Sequence, residues 1–396
     1  MTTRQAIKPD PISSTPIKVP TLTLVLDAGT SCIKTIYFKG RRGKPKHLVS
    51  SSVICPTNIE PSAAESYIKL PKDENFYLVG DSAVQAKVQT SIKQLKSESL
   101  IPKVLGVIGQ IAKNESLSNQ FKLDTTLLLP LSEMNDQDFI KSELTEALSN
   151  FEYSGQFYKV NICGVKFKPE GNGVYTYLSR SLSQDKKDHQ KSAYLMFGYR
   201  NTSLLLIEND KFNYSNSHST DLGFYNYLDL VVKYSSGLYR DDIQRAIVTE
   251  AVYGVNGQSQ QIIKDFTSRI RIEDLIRSSN PKHRERERTS ISAAIERADT
   301  EYWQLLSRWL IEKLPPLNQL DQVIYCGGST SFIEAPINDF FKDWQGKLMN
   351  TNAMSIKMLE KLELTQASSK KFIEQYLPVR LADAWGEFVD LSGIKI

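Results

Sequence analysis

Leu22-Thr23-Leu24-Val25-Leu26-Asp27-Ala28-Gly29-Thr30-Ser31-Cys32-Ile33-Lys34 is the stretch on which the fold turns. Leu22 to Leu26 is a short apolar, β-prone run of the kind that lies inside a sheet. It ends in Asp27-Ala28-Gly29-Thr30-Ser31, where glycine permits a tight turn. A second strand follows from Ile33 to Phe38, then a basic glycine turn, Gly40-Arg41-Arg42-Gly43. The result is a hairpin with its polar residues at the first bend. Backbone N–H groups bind phosphate well, and a glycine turn lets them approach closely. Gly29, Thr30 and Ser31 would supply amides and hydroxyls, and Lys34 a positive charge from the returning strand. Asp27 at the strand end would hold magnesium, through water, because that ion keeps much of its hydration shell. The same residues also describe an ordinary hairpin turn with a plain aspartate, and the stretch alone does not separate the two readings.

The pattern recurs downstream. Ala193 to Phe197 is a strand, Gly198-Tyr199-Arg200-Asn201 a turn, and Ser203 to Glu208 a returning strand. Laid on the first hairpin, Asp27 falls on Met196, Gly29 on Gly198 and Ser31 on Arg200. Two copies of one hairpin imply two domains of the same architecture facing each other. A third turn, Gly327-Gly328-Ser329-Thr330-Ser331, follows the strand Gln322 to Cys326. It would let a purine or ribose pack on bare backbone. It lacks the third glycine of the dinucleotide fingerprint and the Gly-Lys-Ser/Thr ending of a P-loop.

Between these turns, Phe76 to Gly80 and Thr125 to Leu129 read as strands. Leu95 to Lys113 reads as a helix interrupted near its start by Pro102. Asp136 to Leu148 is amphipathic, with Phe139, Ile140, Leu144 and Leu148 on one face. Phe224 to Lys233, Ser290 to Leu314 and Phe372 to Leu391 complete the helices. Pro281 to Arg288 alternates in charge and reads as a solvated loop or helix face, its glutamates diluting any field that would hold nucleic acid. The 396 residues are 40% hydrophobic and 24% charged, with a net charge of +4, as expected of a soluble globular chain. Four scattered cysteines and four scattered histidines argue against a disulfide scaffold and a structural zinc site. No apolar run is long enough to span a membrane, and Met1 to Pro20 reads as a flexible polar tail with no signal peptide, which makes the cytoplasm the simplest compartment.

Together the three turns resemble the actin-like ATPase superfamily, which includes sugar kinases and heat-shock chaperone ATPases. Asp27 to Lys34 is similar to its first phosphate motif, Gly198 to Ser203 lies where the second is expected, and Val323 to Ser331 is similar to the adenosine motif. Leu381-Ala382-Asp383-Ala384-Trp385-Gly386 is similar to the alanine- and glycine-containing helix that ends these proteins. Leu129-Pro130-Leu131-Ser132-Glu133 resembles the Leu-Pro-Leu-Thr-Glu element of the ParM/StbA-type plasmid-segregation actins. The resemblance implies an α/β, duplicated ribonuclease H-like fold with a nucleotide cleft between domains. Residues 21–190, completed by a C-terminal helix at 375–396, would form one domain and 191–374 the other. It implies ATP and Mg²⁺ as ligands, bound by Gly29, Thr30, Ser31, Lys34, Gly198, Arg200, Asn201, Gly327, Gly328 and Ser329. Asp27 would organise the metal and Glu133 the attacking water. The family's second phosphate motif opens with an aspartate. Here Met196 stands in its place, and a thioether does not hold a hard cation. Arg200, in turn, would reach a phosphate, a subunit contact or simply solvent. The resemblance therefore implies a filament-forming, slow ATPase that segregates plasmid DNA through a DNA-binding adaptor, without touching DNA itself. A nucleotide-binding scaffold with little hydrolysis and a small-molecule kinase on the same core are the alternatives.

Overall fold

The computed structural model describes residues 19–40, 43–86, 96–246, 270–363 and 377–394, apart from the side chains of Arg245, Ser331, Leu377 and Pro378. Most of the expected tail, Arg41 and Arg42, Leu95, and the 372–376 start of the expected closing helix lie outside the described residues.

The first sheet is built from β1 (Thr21–Asp27), β2 (Ile33–Lys39), β3 (Lys46–Ser50), β4 (Ile54–Thr57), β5 (Tyr67–Lys69), β6 (Phe76–Val79), β7 (Gln120–Leu129), β8 (Phe151–Tyr153) and β9 (Gln156–Pro169). The second holds β10 (Lys191–Phe197), β11 (Thr202–Glu208), β12 (Lys211–Phe212), β13 (His218–Thr220), β14 (Gln322–Cys326) and β15 (Lys347–Asn350). The first sheet runs β3-β2-β1-β7-β9 before continuing through β8-β5-β6-β4, and the second runs β12-β11-β10-β14-β15. In each, an antiparallel hairpin comes first and two strands parallel to its opening strand follow. The two halves are therefore one topology used twice. Register agrees with the sequence repeat: Asp27 pairs with Lys34 across the first hairpin, and Met196 with Ser203 across the second. β1 and β10 are buried along nearly their whole length, which is why both read as unbroken apolar runs rather than as alternating ones.

Between the sheets lies a shared core. Val25, Ile36 and Leu128 of the first sheet meet Tyr194, Met196 and Ile324 of the second around Trp385 and Phe388. The last two belong to the closing helix, Leu377–Ser392, which packs on β1, β2 and the helix Asn172–Ser179. That helix and the closing helix cross at glycines: a Cβ on Gly386 would strike the Gly173 backbone, and one on Gly173 the carbonyl of Asp383. Only residues without a Cβ permit so close a crossing.

Two local expectations change, and a third resolves to one of its alternatives. The helix Lys96–Asn114 runs through Pro102 without a break, its buried face against the sheet offsetting the lost hydrogen bond. Phe139 is 66% exposed, whereas Ile140, Leu144 and Leu148 are buried, so it leaves the apolar face it was assigned to. The charge-alternating run opens one long helix, Pro281–Lys313, which Asn280 caps by accepting from Lys282 N at 3.0 Å, with proline at the first position.

Candidate functional site

A cavity of about 700 Å³ lies between the two sheets, at the ends of β1, β10 and β14. Its walls begin with the three glycine turns, and local geometry explains their sequences. A Cβ on Gly29 would stand 2.8 Å from the Cys32 carbonyl, and one on Gly198 2.9 Å from that of Asn201, the same clash at the same spacing in both repeats. Gly327 has a φ of +102°, and its Cα faces the Phe197 backbone too closely for any side chain. Ser329 then ties the third turn to the second, donating from Oγ to the Gly198 carbonyl at 3.0 Å.

The closing helix completes the wall. Arg380 donates from Nη2 to Ser31 Oγ at 2.6 Å and to Cys32 Sγ at 2.8 Å, which fixes the first turn against it. Asp383 accepts from the backbone N–H groups of Gly171 at 2.7 Å and Gly173 at 2.8 Å, capping the helix Asn172–Ser179 from outside. Burial pushes the Asp383 carboxyl up to about 7 against those amides, with Glu387, Asp27 and Glu170 adding repulsion.

Beneath the first turn, Asp27 is bridged by two ammonium groups. Lys34 pairs with Oδ2, and Lys96 donates to Oδ1 at 3.2 Å while also pairing with Glu170. Burial would raise the Asp27 carboxyl, but the two lysines outweigh it and hold the group at about 2. Burial also opposes the charge on Lys96, yet Asp27 and Glu170 keep its pKa above the ordinary lysine value.

The chain matches no protein-family model, and no curated protein matches its sequence. Solved structures do match. An archaeal actin homologue aligns over 94% of this chain and 100% of its own at 15% identity, with a TM-score of 0.55. Bacillus thuringiensis ParM with ATP aligns over 94% of this chain and 99% of its own at 14% identity, with a TM-score of 0.54. The Alp12 filament structure aligns over 89% of this chain and 99% of its own at 18% identity, with a TM-score of 0.50. The chain has an actin-like fold of the ParM type.

Within this actin-like cleft the structure brings together Asp27, Gly29, Thr30, Ser31, Lys34, Gly198, Arg200, Asn201, Gly327, Gly328 and Ser329. Glu133 does not line it. Its carboxylate is 2% exposed and fully engaged, one oxygen accepting from the Ser97 amide at 2.8 Å and the other from Arg200 Nη2 at 2.8 Å. Arg200 thus joins the second half to the first rather than pointing to solvent. The acidic side chain that does face the cavity at the end of the β7–β9 layer is Glu170, immediately after Pro169. Sequence reading missed Glu170, Lys96 and Arg380, charged residues that no motif or spacing singles out.

Magnesium does not fit the residues present. Mg²⁺ requires hard oxygen donors, directly or through water. Both Asp27 oxygens already accept from ammonium groups, which puts two cations where the expected metal would sit. The equivalent residue of the other half, Met196, offers sulfur, which lies 3.8 Å from Cys326 Sγ. Among the described residues, no group of three His, Cys, Asp or Glu side chains is placed to hold a metal. Nor is any described helix long and apolar enough to cross a membrane.

Proposed function

We infer that the chain binds a nucleoside triphosphate, ATP by likeness, in the cleft between its halves and assembles with copies of itself into filaments. One observation carries the reading: three glycine turns, the buried Lys96 and the half-buried Lys34 converge on a single cavity between duplicated sheets. The likeness supports it, since ParM has been seen with ATP and Alp12 as a filament. The amides of the Gly29 and Gly198 turns and the Lys34 ammonium would hold the phosphates, and the Gly327–Gly328 turn would pass under the nucleoside. Ligand contacts to both halves favour a closed cleft. Closure would present one face of the protein to another copy, and head-to-tail contacts that do not close on themselves give filaments. The water-orienting role implied for Glu133 falls instead to Glu170, the carboxylate that faces the cavity. Plasmid or other DNA would be moved through a separate DNA-binding adaptor.

A scaffold reading, in which nucleotide is held and rarely turned over, is favoured by Met196 and by the pairing of Glu170 with Lys96. Sedimentation and phosphate release on the same sample, with ATP, ADP and a non-hydrolysable analogue, separate the two. Pelleting with release supports a dynamic filament, whereas pelleting without release supports the scaffold. A protein that binds ATP and never pellets would contradict both.

A further inference from the structure

We propose that Lys96 takes the place of the divalent cation in the nucleotide site, so that the chain binds metal-free nucleoside polyphosphate about as well as the magnesium complex, or better. The inference rests on the nucleotide reading above. Lys96 opens the helix Lys96–Asn114, is 6% exposed, and lines the cavity with its ammonium between Asp27 and Glu170. That is the point at which an ion held by carboxylates from β1 and β9 would sit. An ammonium there does the electrostatic work of a cation, with three donors to turn from carboxylate to phosphate.

Two independent features agree. The duplication puts Met196 where the first half has Asp27, and its sulfur packs against Cys326, so the second half offers no carboxylate at the matching position. The corner also already holds the cations Lys34, Lys96 and Arg200 beside its carboxylates. Lys103, two turns along the same face of that helix, is 7% exposed, and its pKa is pushed down to about 8 by burial and then by Lys96 and Arg200, against the opposite pull of Glu133 and Asp27. A dication entering beside them would add repulsion where one lysine already sheds its proton more readily.

The test is titration calorimetry of ATP into the full chain, in excess Mg²⁺ and again in EDTA. The two affinities are expected to agree within about tenfold, or to favour EDTA. Lys96→Met is expected to weaken binding in EDTA by at least about tenfold. The comparison on the unmodified protein stands even if Lys96→Met does not fold. Binding in Mg²⁺ that weakens by more than about tenfold in EDTA would overturn the inference while leaving the nucleotide reading intact. Absence of ATP binding in both conditions would overturn the nucleotide reading, and the inference with it.

Discussion

Removing Arg200 should destabilise the protein far more than removing a surface arginine, and the penalty should depend on pH. Arg200 Nη2 donates to Glu133 at 2.8 Å, with side chains 11% and 2% exposed, so the pair is effectively out of water. In Arg200→Ala a buried carboxylate keeps only backbone donors, chiefly the Ser97 amide at 2.8 Å. Breaking a buried pair in this way costs about 3–5 kcal/mol. Arg200 also donates from Nε to Asn201 Oδ1 at 2.8 Å, so a double-mutant cycle with Glu133→Gln is needed to isolate the pair. The coupling should reach about 2–3 kcal/mol. The sign with pH follows from what holds Glu133 ionised. Burial raises its pKa, but the Ser97 amide, Arg200 and the Lys96 amide together bring it below the ordinary value. The pair therefore contributes stability above about pH 4, lost as pH falls below that. Without Arg200 the balance moves toward burial, the folded pKa rises, and protonation relieves the strain. The Arg200→Ala penalty should accordingly be larger at pH 8 than at pH 5. Urea denaturation followed by tryptophan fluorescence at both values measures it. A penalty under about 1 kcal/mol at both pH values, with no coupling, would show that the pair behaves as an exposed one and refute the reasoning.

Gly173→Ala should lower the melting temperature sharply, because its Cβ would overlap the Asp383 carbonyl; overpacking of this kind costs about 1–3 kcal/mol or more. A variant melting within a degree of the parent would mean that the crossing can slide apart. For Asp383, the raised folded pKa of about 7 means stability present below about pH 4 and lost as pH rises to about 7, by at most about 1.4 kcal/mol per unit. Asp383→Asn should flatten that slope in the stability-versus-pH curve; an identical slope would assign it to another group. Met196→Asp, which puts a carboxylate opposite Asp27, should raise phosphate release measured in Mg²⁺ about tenfold, and an unchanged or lower rate would count against the proposal that Met196 limits turnover.

What could be read in the sequence is what the backbone must do locally. The turns at Gly29 and Gly198 announce themselves because a side chain there would strike a carbonyl three residues on, in both repeats. β1 and β10 do so because strands buried on both faces read as continuous apolar runs. The electrostatics of the cleft were hidden for the opposite reason. Lys96 meets Asp27 across 69 residues of chain and Glu170 across 74, and no spacing rule connects them. Glu133 shows the same limit from the other side. It lies close enough to the cleft to hold Arg200, yet its carboxylate is consumed by that arginine and the Ser97 amide. The strands β3 to β5, β8 and β9 were less legible, being short or half exposed. The 14-residue β9 alternates and crosses a register shift at Leu123/Asp124 of its partner, which blurs its period.

The most direct measurement is the stoichiometry and affinity of ATP for the full chain and for Lys34→Met, by equilibrium titration with a fluorescent analogue. Lys34 lines the cavity and a charge-assisted contact contributes about 1.5–3 kcal/mol, so the account predicts one site per chain, weakened about tenfold or more in the variant. No binding by the parent protein, or equal binding by both, would contradict the claim that the cleft between the two sheets is a nucleotide site.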